Sequence, residues 1–89
     1  MGETNIFKVL SDQQRRDILV LLKDGRRNAG EIAEYFNITP AALSYHLKLL
    51  KAADLVMEYK VKNFVFYEIN TSVFADLILW VKQFGGNEE

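Results

Sequence analysis

Side chains with acid–base or metal-binding chemistry are few in this sequence. Its single histidine, His46, has no carboxylate pair or nucleophile at a spacing that would make a catalytic set, and the chain has no cysteine. No glycine-rich phosphate loop is present. We therefore predict that the protein is not an enzyme and that it binds no cofactor, metal ion or small-molecule substrate. His46 is predicted to pack and hydrogen bond at the edge of the core, with a direct DNA contact as the alternative.

A second set of side chains has the chemistry to contact duplex DNA. On a helical wheel at about 100° per residue, the leucines after Pro40 share one face, and the opposite face is small or polar. A helix enters the major groove when its exposed side is not bulky near the bases. The alternative is an amphipathic surface helix without a partner. The predicted DNA contacts of this helix and its cap are Thr39, Ala41, Ser44, Tyr45 and Lys48.

Basic and polar side chains at the tip of a predicted hairpin extend this set. Lys60, Lys62 and Asn63 lie where a hairpin that follows a recognition helix would form a wing against the flanking DNA backbone or minor groove. The alternative is a solvated turn, because lysines on edge strands also prevent aggregation.

Two arginine pairs, Arg15–Arg16 and Arg26–Arg27, are also candidate phosphate contacts. Arg27 is included in the predicted DNA-contact set because it immediately precedes the helix-turn-helix described next. For Arg15 and Arg16, ion pairing with neighbouring aspartates on the surface is the alternative.

Two short helices joined by a three-residue turn position these side chains. Asn28 and Glu31 have capping-box spacing, and the helix that they begin ends at Asn37. Thr39 is then an N-cap with Pro40 at the first helical position, and the second helix extends to about residue 53. This spacing is that of a helix-turn-helix.

The flanking segments have their own local signals. Residues 6–10 form a short apolar turn or helix, and Ser11 with Gln14 predicts a capping box for the next helix, which Gly25 ends. Within residues 55–69, apolar and polar side chains first alternate, and β-branched and aromatic side chains then predominate. This pattern predicts a two-stranded hairpin. The order is four helices, two strands and a last helix.

The last helix, capped by Asn70 or Thr71 and ending at Gly85-Gly86, has more apolar residues than one face needs. Such an excess implies a second burial partner, which we predict to be another copy of the chain. The alternative is a helix buried in its own core. The predicted dimer-interface residues are Ile6, Phe7, Phe74, Leu77, Ile78, Trp80, Val81 and Phe84.

Length and charge set the remaining limits. The 89 residues suffice for one domain, spanning 1–89, with a net charge of −1. A nucleic-acid-binding domain is usually basic. However, residues 39–62 contain four lysines against two acidic residues, which makes this middle part mildly basic. Neither a signal peptide nor an apolar run that would span a bilayer is present, so a cytoplasmic protein is expected.

Three stretches of the sequence resemble the ArsR (ArsR/SmtB) family of winged helix-turn-helix repressors. They read LSDQQRRDILVLLKDG, AGEIAEYFNITPAALSYHLKLLKAADLV and VFYEIN, and together they extend over most of the chain. The most specific part is SYHLKLLKAADLV, in which Ser44, His46, Leu47, Leu50 and Leu55 match the family pattern.

The resemblance implies an α+β, mainly α, winged helix-turn-helix that dimerises through its first and last helices. It also implies DNA contacts at Ser44 and Tyr45 and, more loosely, at Thr39, Ala41 and Lys48. The sequence departs from many members at Gln13, where they have proline, and at the hairpin tip, where they have glycine and arginine. No metal-sensing residues can be transferred, so the chain is most similar to the metal-independent, SdpR-like autorepressor branch.

Two functions follow from these patterns. The first is a homodimeric, sequence-specific repressor that binds double-stranded DNA at a two-fold operator, with its own promoter as one candidate target. The resemblance adds a membrane or other protein that would sequester it. The second is a winged-helix protein-interaction module that no longer binds DNA, which the net charge favours slightly.

Overall fold

A computed structural model describes residues 5–85, and in that range the chain forms five helices and one three-stranded sheet. The helices are α1 (Ile6–Leu10), α2 (Gln13–Leu22), α3 (Ala29–Phe36), α4 (Pro40–Ala52) and α5 (Thr71–Lys82). The strands are β1 (Arg27–Asn28), β2 (Val56–Val61) and β3 (Phe64–Ile69). The predicted winged helix-turn-helix is thereby confirmed. No helix in this range is long and apolar enough to cross a membrane.

Aliphatic side chains from α2, α3, α4 and the segment leading into β2 form the core. Removing their apolar surface from water is the main favourable contribution to folding. Because the leucines of α4 lie in this cluster, core packing determines which face of α4 is buried. The fully buried members are Ile18, Leu22, Ile32, Leu43, Leu50 and Leu55.

Local capping defines the helix-turn-helix as predicted. The backbone N–H of Glu31 donates to Asn28 Oδ1 at 2.9 Å, and the Asn28 N–H donates to Glu31 Oε1 at 3.0 Å, which completes the capping box. Asn37 ends α3 in the left-handed conformation, with φ of 53°. Thr39 then caps α4 by accepting from the Ala42 N–H at 3.1 Å. These bonds satisfy donors that a helix start leaves free.

The start of α2 differs from the prediction by one residue. The N-cap is Asp12, which accepts from the Arg15 N–H at 3.2 Å, so the predicted capping box of Ser11 and Gln14 is wrong. Ser11 instead ends α1, where its hydroxyl donates to the Lys8 carbonyl at 2.6 Å. The two helices follow each other so closely that one residue ends the first and the next begins the second.

Arg15 and Arg16 complete the last turn of α1. Arg15 Nε donates to the Val9 carbonyl and an Arg16 guanidinium nitrogen donates to the Leu10 carbonyl, both at 2.8 Å. Arg15 is buried, with 8% of its surface exposed, so neither a phosphate contact nor a surface ion pair describes it. Within residues 5–85, neither arginine forms an ion pair with a carboxylate.

The sheet is antiparallel, with β3 between β1 and β2. The predicted hairpin is present, with Val61 opposite Phe64 and Lys62 in the turn at φ of 57°. The short strand β1, where Arg27 lies opposite Tyr67, was not predicted. A two-residue strand has no periodicity of its own, and its pairing with β3 is fixed by tertiary structure.

Helix α5 extends from the body of the protein. It begins after Asn70, whose side chain forms no capping bond, and none of its residues is buried. The helix ends at Lys82, before Gly85, and Gly86 lies outside the described residues. The described chain is correspondingly elongated, measuring 46 × 29 × 23 Å.

The cap of α2 makes a prediction about acid stability. Burial of Asp12 acts to raise its pKa, but the Arg15 N–H and the charges of Arg15 and His46 hold the pKa below its ordinary value. Ionised Asp12 therefore stabilises the fold at neutral pH, and this contribution is lost as the pH falls through the folded-state pKa, below about pH 4. We expect Asp12→Asn, which can still cap, to show a smaller fall in unfolding free energy between pH 7 and pH 3 than the wild type.

Urea denaturation at the two pH values measures this difference. Asp12→Ala is the comparison that removes the cap itself, and we expect it to lower the free energy of unfolding by about 1 kcal/mol at pH 7. An equal acid-induced fall in the wild type and in Asp12→Asn would contradict the assignment of the cap charge.

Candidate nucleic-acid interface

Helix α4 has one buried face and one exposed face. Leu43, Leu47 and Leu50 are buried in the core. On the other side, the predicted contacts Ala41, Ser44, Tyr45 and Lys48 are all exposed, and the Tyr45 side chain is 59% exposed. The structure therefore leaves this face of α4 open to solvent.

Thr39 lies at the start of the same helix. Its hydroxyl oxygen accepts from the Ala42 N–H, and the residue is exposed. A hydroxyl that accepts through its oxygen retains its own hydrogen as a donor. Thr39 can therefore cap α4 and donate to a phosphate oxygen at the same time.

The hairpin of β2 and β3, called the wing below, lies beside the exposed face of α4. A groove of about 490 Å³ separates them. The tip residues Lys60, Lys62 and Asn63 are exposed. The exposed face of α4 and the wing therefore lie on one side of the molecule. The groove is lined by Ser44, Leu47, Lys48, Lys51, Ala52, Glu58 and Tyr67.

Glu58 and Tyr67 line this groove, and sequence reasoning did not single them out. Glu58 forms an ion pair with Lys51, and their hydrogen bond raises the pKa of Lys51. The Tyr67 hydroxyl donates to Glu58 at 3.5 Å, and burial, together with the Glu58 charge, raises the pKa of Tyr67. Lys48 and Lys51 lie one turn apart on α4 but differ in environment, because the charge of Lys51 is paired with the Glu58 carboxylate.

Arg26 and Arg27 occupy different environments. Arg26 stacks over the Phe66 ring, with its guanidinium carbon 4.4 Å from the centroid, and donates to the Tyr59 hydroxyl at 3.0 Å. Tyr59 and Phe66 face each other across the strands, on the opposite face of the sheet from Tyr67 and the groove. Arg27 is half-buried, and its Nε has no hydrogen-bond partner within residues 5–85. Arg26 is thus held on the outer face of the wing.

His46 packs and hydrogen bonds at the edge of the core, as predicted. Its Nδ1 lies 3.2 Å from an Arg15 guanidinium nitrogen. The imidazole also makes an edge contact with the ring of Tyr45, with centroids 5.6 Å apart. His46 therefore connects the body of the protein to a residue on the exposed face of α4.

A second surface combines α1 and α5. The ring centroids of Phe7 and Trp80 are 5.2 Å apart, and those of Trp80 and Phe84 are 5.1 Å apart. Ile6 is half-buried, whereas Phe7, Trp80 and Phe84 are exposed, Phe84 to 72%. Aromatic side chains in mutual contact thus remain largely open to solvent.

The apolar residues of α5 occupy one side of the helix. At about 100° per residue they fall in a sector about 160° wide, which is broader than the stripe that one core contact needs. The half-buried members lie towards the start of the helix, where Val73 and Phe74 pack against the core, whereas the members from Ile78 onwards are exposed. Leu79 falls outside the sector, on the side of Asp76 and Gln83. The sector contains Val73, Phe74, Leu77, Ile78, Trp80 and Val81, and Phe84 lies in the turn that follows the helix.

Ligands for a metal ion are not grouped in the described part of the chain. No cluster of three or more histidine, cysteine, aspartate or glutamate side chains occurs within residues 5–85.

Comparison with known proteins gives consistent results. Residues 12–58 match the model of bacterial regulatory proteins of the arsR family. The chain is 45% identical over 80 residues to the transcriptional repressor SdpR of Bacillus subtilis, covering 90% of this chain and 89% of that protein. It is 36% identical over 75 residues to the arsenical resistance operon repressor of Staphylococcus aureus, covering 84% and 72%.

The fold is likewise similar to that of solved regulators. One is the solution structure of a homodimeric winged helix-turn-helix DNA-binding domain from Mycobacterium bovis, a possible ArsR-family transcriptional regulator. It superimposes with a TM-score of 0.74 at 27% identity, covering 92% of this chain and 78% of that one.

Proposed function

The chain belongs to the arsR family of bacterial regulatory proteins, and from this we propose that it is a repressor that binds a two-fold DNA operator sequence-specifically as a homodimer. Members of this family and the relatives named above are transcriptional regulators rather than enzymes. The observation that carries the proposal is the exposed face of α4, which lies opposite three buried leucines and beside the wing.

In this proposal α4 lies in the major groove. Ala41 allows close approach and offers an apolar contact to a thymine methyl group, while Ser44 and Tyr45 donate or accept at base edges. Lys48 and the Thr39 hydroxyl contact phosphates, which fixes the register of the helix on the duplex. The small residues stand at the start of the helix, where a recognition helix approaches the bases.

The wing supplies further phosphate contacts. Lys60, Lys62 and Asn63 extend the contact from α4 along the backbone, and Arg27 is proposed to contribute through the end of its guanidinium group. Lys51 contributes less, because its charge is already matched by Glu58. The proposed phosphate contacts involve only a few lysine and arginine side chains, which is compatible with the net charge of −1.

The homodimer is proposed to form through α1 and α5. A two-fold operator needs two copies of α4 at a fixed spacing, which a two-fold interface provides. The interface residues are those predicted from the sequence, and the exposed aromatic contacts of Phe7, Trp80 and Phe84 support this placement. A solved neighbour that is homodimeric supports the proposal of a homodimer.

Release from the operator is proposed to follow from a protein partner or from self-limitation at its own promoter. The chain offers no cysteine for a thiolate metal site. A protein that covers α4 or separates the two copies would relieve repression without an ion. A sequestering partner in the membrane is one form that this regulation would take.

Fluorescence anisotropy with a labelled duplex from the region upstream of the gene tests the function. Affinity should fall as salt rises, because each phosphate contact releases counterions. Lys48→Ala removes two such contacts per dimer, so we expect the slope of log K against log salt to shrink by about 1.8. Lys23→Ala, which removes an exposed lysine at the end of α2, should leave the slope unchanged.

A wild-type protein that binds no duplex at about 50 mM salt would contradict the repressor function. It would favour the alternative predicted from the sequence, a winged-helix module that acts through protein contacts alone.

A further inference from the structure

We propose that Arg15 and His46 form a positioning pair that holds α4 in its DNA-reading orientation and that does so only while His46 is uncharged. This inference rests on the proposed function, because its role is expressed in DNA affinity. Neither residue needs to touch DNA for the pair to act, so both are positioning residues rather than contacts.

The pair connects three helices through one buried side chain. Arg15, on α2, donates from Nε to the Val9 carbonyl of α1 at 2.8 Å. Its terminal nitrogen lies 3.2 Å from Nδ1 of His46 on α4. The guanidinium therefore fixes α4 relative to α1, which is the helix that shares the proposed dimer surface.

The chemistry of the two groups determines which nitrogen of His46 accepts the hydrogen bond. A guanidinium has five N–H donors and no acceptor. His46 Nδ1 must therefore accept, which leaves the proton of the neutral imidazole on Nε2. Protonation of Nδ1 would remove the acceptor and would leave two cationic N–H donors facing each other across 3.2 Å.

The other charged group facing the pair is Asp12, at the start of α2. Its carboxylate interacts with the charge of Arg15 and, when the imidazole is protonated, with that of His46, and its pKa lies below the ordinary value. Asp12 therefore stays ionised between pH 7.5 and pH 5.5, the range of the test below. Tyr45 contacts the imidazole from its own helix. Within residues 5–85, α3 and β2 place no hydrogen-bonding group on His46, and Glu58 of β2 is paired with Lys51.

This arrangement reverses the usual effect of acid on DNA binding. A histidine near a duplex ordinarily strengthens binding when it becomes charged, because phosphates attract cations. Here the same proton breaks the bond that positions α4, so acidification weakens operator binding. The two cases differ in sign, which makes them easy to separate.

Two substitutions of His46 isolate the accepting atom. Asn has an oxygen at the position of Nδ1 and cannot be protonated, whereas Gln places its amide near the position of Nε2. At pH 7.5 we expect His46→Asn to bind the operator within about threefold of wild type and His46→Gln to bind about tenfold more weakly, since the lost bond involves a charged donor. Gln has the better helix propensity, so weaker binding by that variant would not reflect a weaker helix.

The pH profile supplies the second measurement. Between pH 7.5 and pH 5.5 the affinity of the wild type relative to His46→Asn should fall about tenfold. Nitrogen-detected NMR of the imidazole in the free protein should show Nδ1 unprotonated and Nε2 protonated at pH 7.5, and His46, as the single histidine, gives an unambiguous signal.

Three results would overturn the inference: a proton on Nδ1 at pH 7.5, equal operator affinity for His46→Gln and wild type, or wild-type affinity that rises on acidification relative to His46→Asn. Failure of the proposed function looks different. In that case the wild-type protein binds no duplex at any pH, whereas failure of this inference alone leaves wild-type binding intact.

Discussion

Val81→Glu is expected to convert the dimer to a monomer and to weaken operator binding by at least about 100-fold, because the second half-site contact is then no longer intramolecular. Val81 lies in the apolar sector of α5 and is 51% exposed in the isolated chain. A carboxylate there costs little in the monomer but would be buried without a partner in the dimer. The fold itself should therefore persist.

Leu79→Glu is the matched control. Leu79 is two residues away, is 65% exposed and lies on the opposite side of α5 from the apolar sector. The same charge is introduced on the same helix, yet we expect the dimer and its operator affinity to be retained. Sedimentation velocity measures the mass, and circular dichroism verifies that both variants are folded.

Trp80 provides an internal probe of the same equilibrium. It is the single tryptophan of the sequence and is 47% exposed in the isolated chain. Dilution of the wild type should shift its emission to longer wavelength as the interface opens, while Val81→Glu should already show the shifted spectrum. A dimer of unchanged mass for Val81→Glu would place the interface on another surface.

The helix-turn-helix was predictable because its signals are local. The Asn28 and Glu31 pair, the left-handed Asn37 and the Thr39-Pro40 start each act within four residues, and the structure has all of them. The spacing of the leucines in α4 likewise determined which face is buried. Helix and hairpin boundaries of this kind depend on propensity and capping, which sequence shows directly.

The features that were missed depend on contacts between different helices and strands. Arg15 lies in a polar stretch, and only its position against Val9 and His46 makes it buried. Glu58 fits the ordinary alternation of polar and apolar residues along β2. Its ion pair with Lys51 and its hydrogen bond from Tyr67 appear only in the folded structure. Ser11 does not begin α2 because it ends α1, so the next residue, Asp12, is the N-cap of α2.

The excess of apolar residues on α5 is intermediate between these cases. The sequence showed that the helix has more apolar surface than its own core needs. The structure shows that the apolar side chains from Ile78 onwards are the exposed ones. Phe74 and Leu77 are half-buried, and Phe74 packs against the core. A polar residue at Phe74 would therefore disturb the fold as well as the proposed dimer, which makes Val81 the sharper test.

Ala41→Glu is expected to abolish specific DNA binding, reducing affinity by at least about 100-fold, because it places a carboxylate on the face of α4 proposed to approach the bases and phosphates. Ala41 is exposed and lies in the first turn of α4, where a negative charge favours the helix. Stability should be unchanged or slightly higher, so a loss of binding would not come from unfolding. Anisotropy and thermal melts measure the two quantities.

Ser72→Glu separates the position of this charge from its sign. Ser72 is the second residue of α5, as Ala41 is of α4, and it is also exposed. Both substitutions change the charge of each protomer equally and both favour a helix start, so they differ chiefly in which helix carries the carboxylate. Long-range repulsion from the duplex is screened over about 8–10 Å at physiological salt. If α4 lies in the groove, Ser72→Glu keeps nearly full affinity; equal losses for both would mean that net charge, and not α4, governs binding.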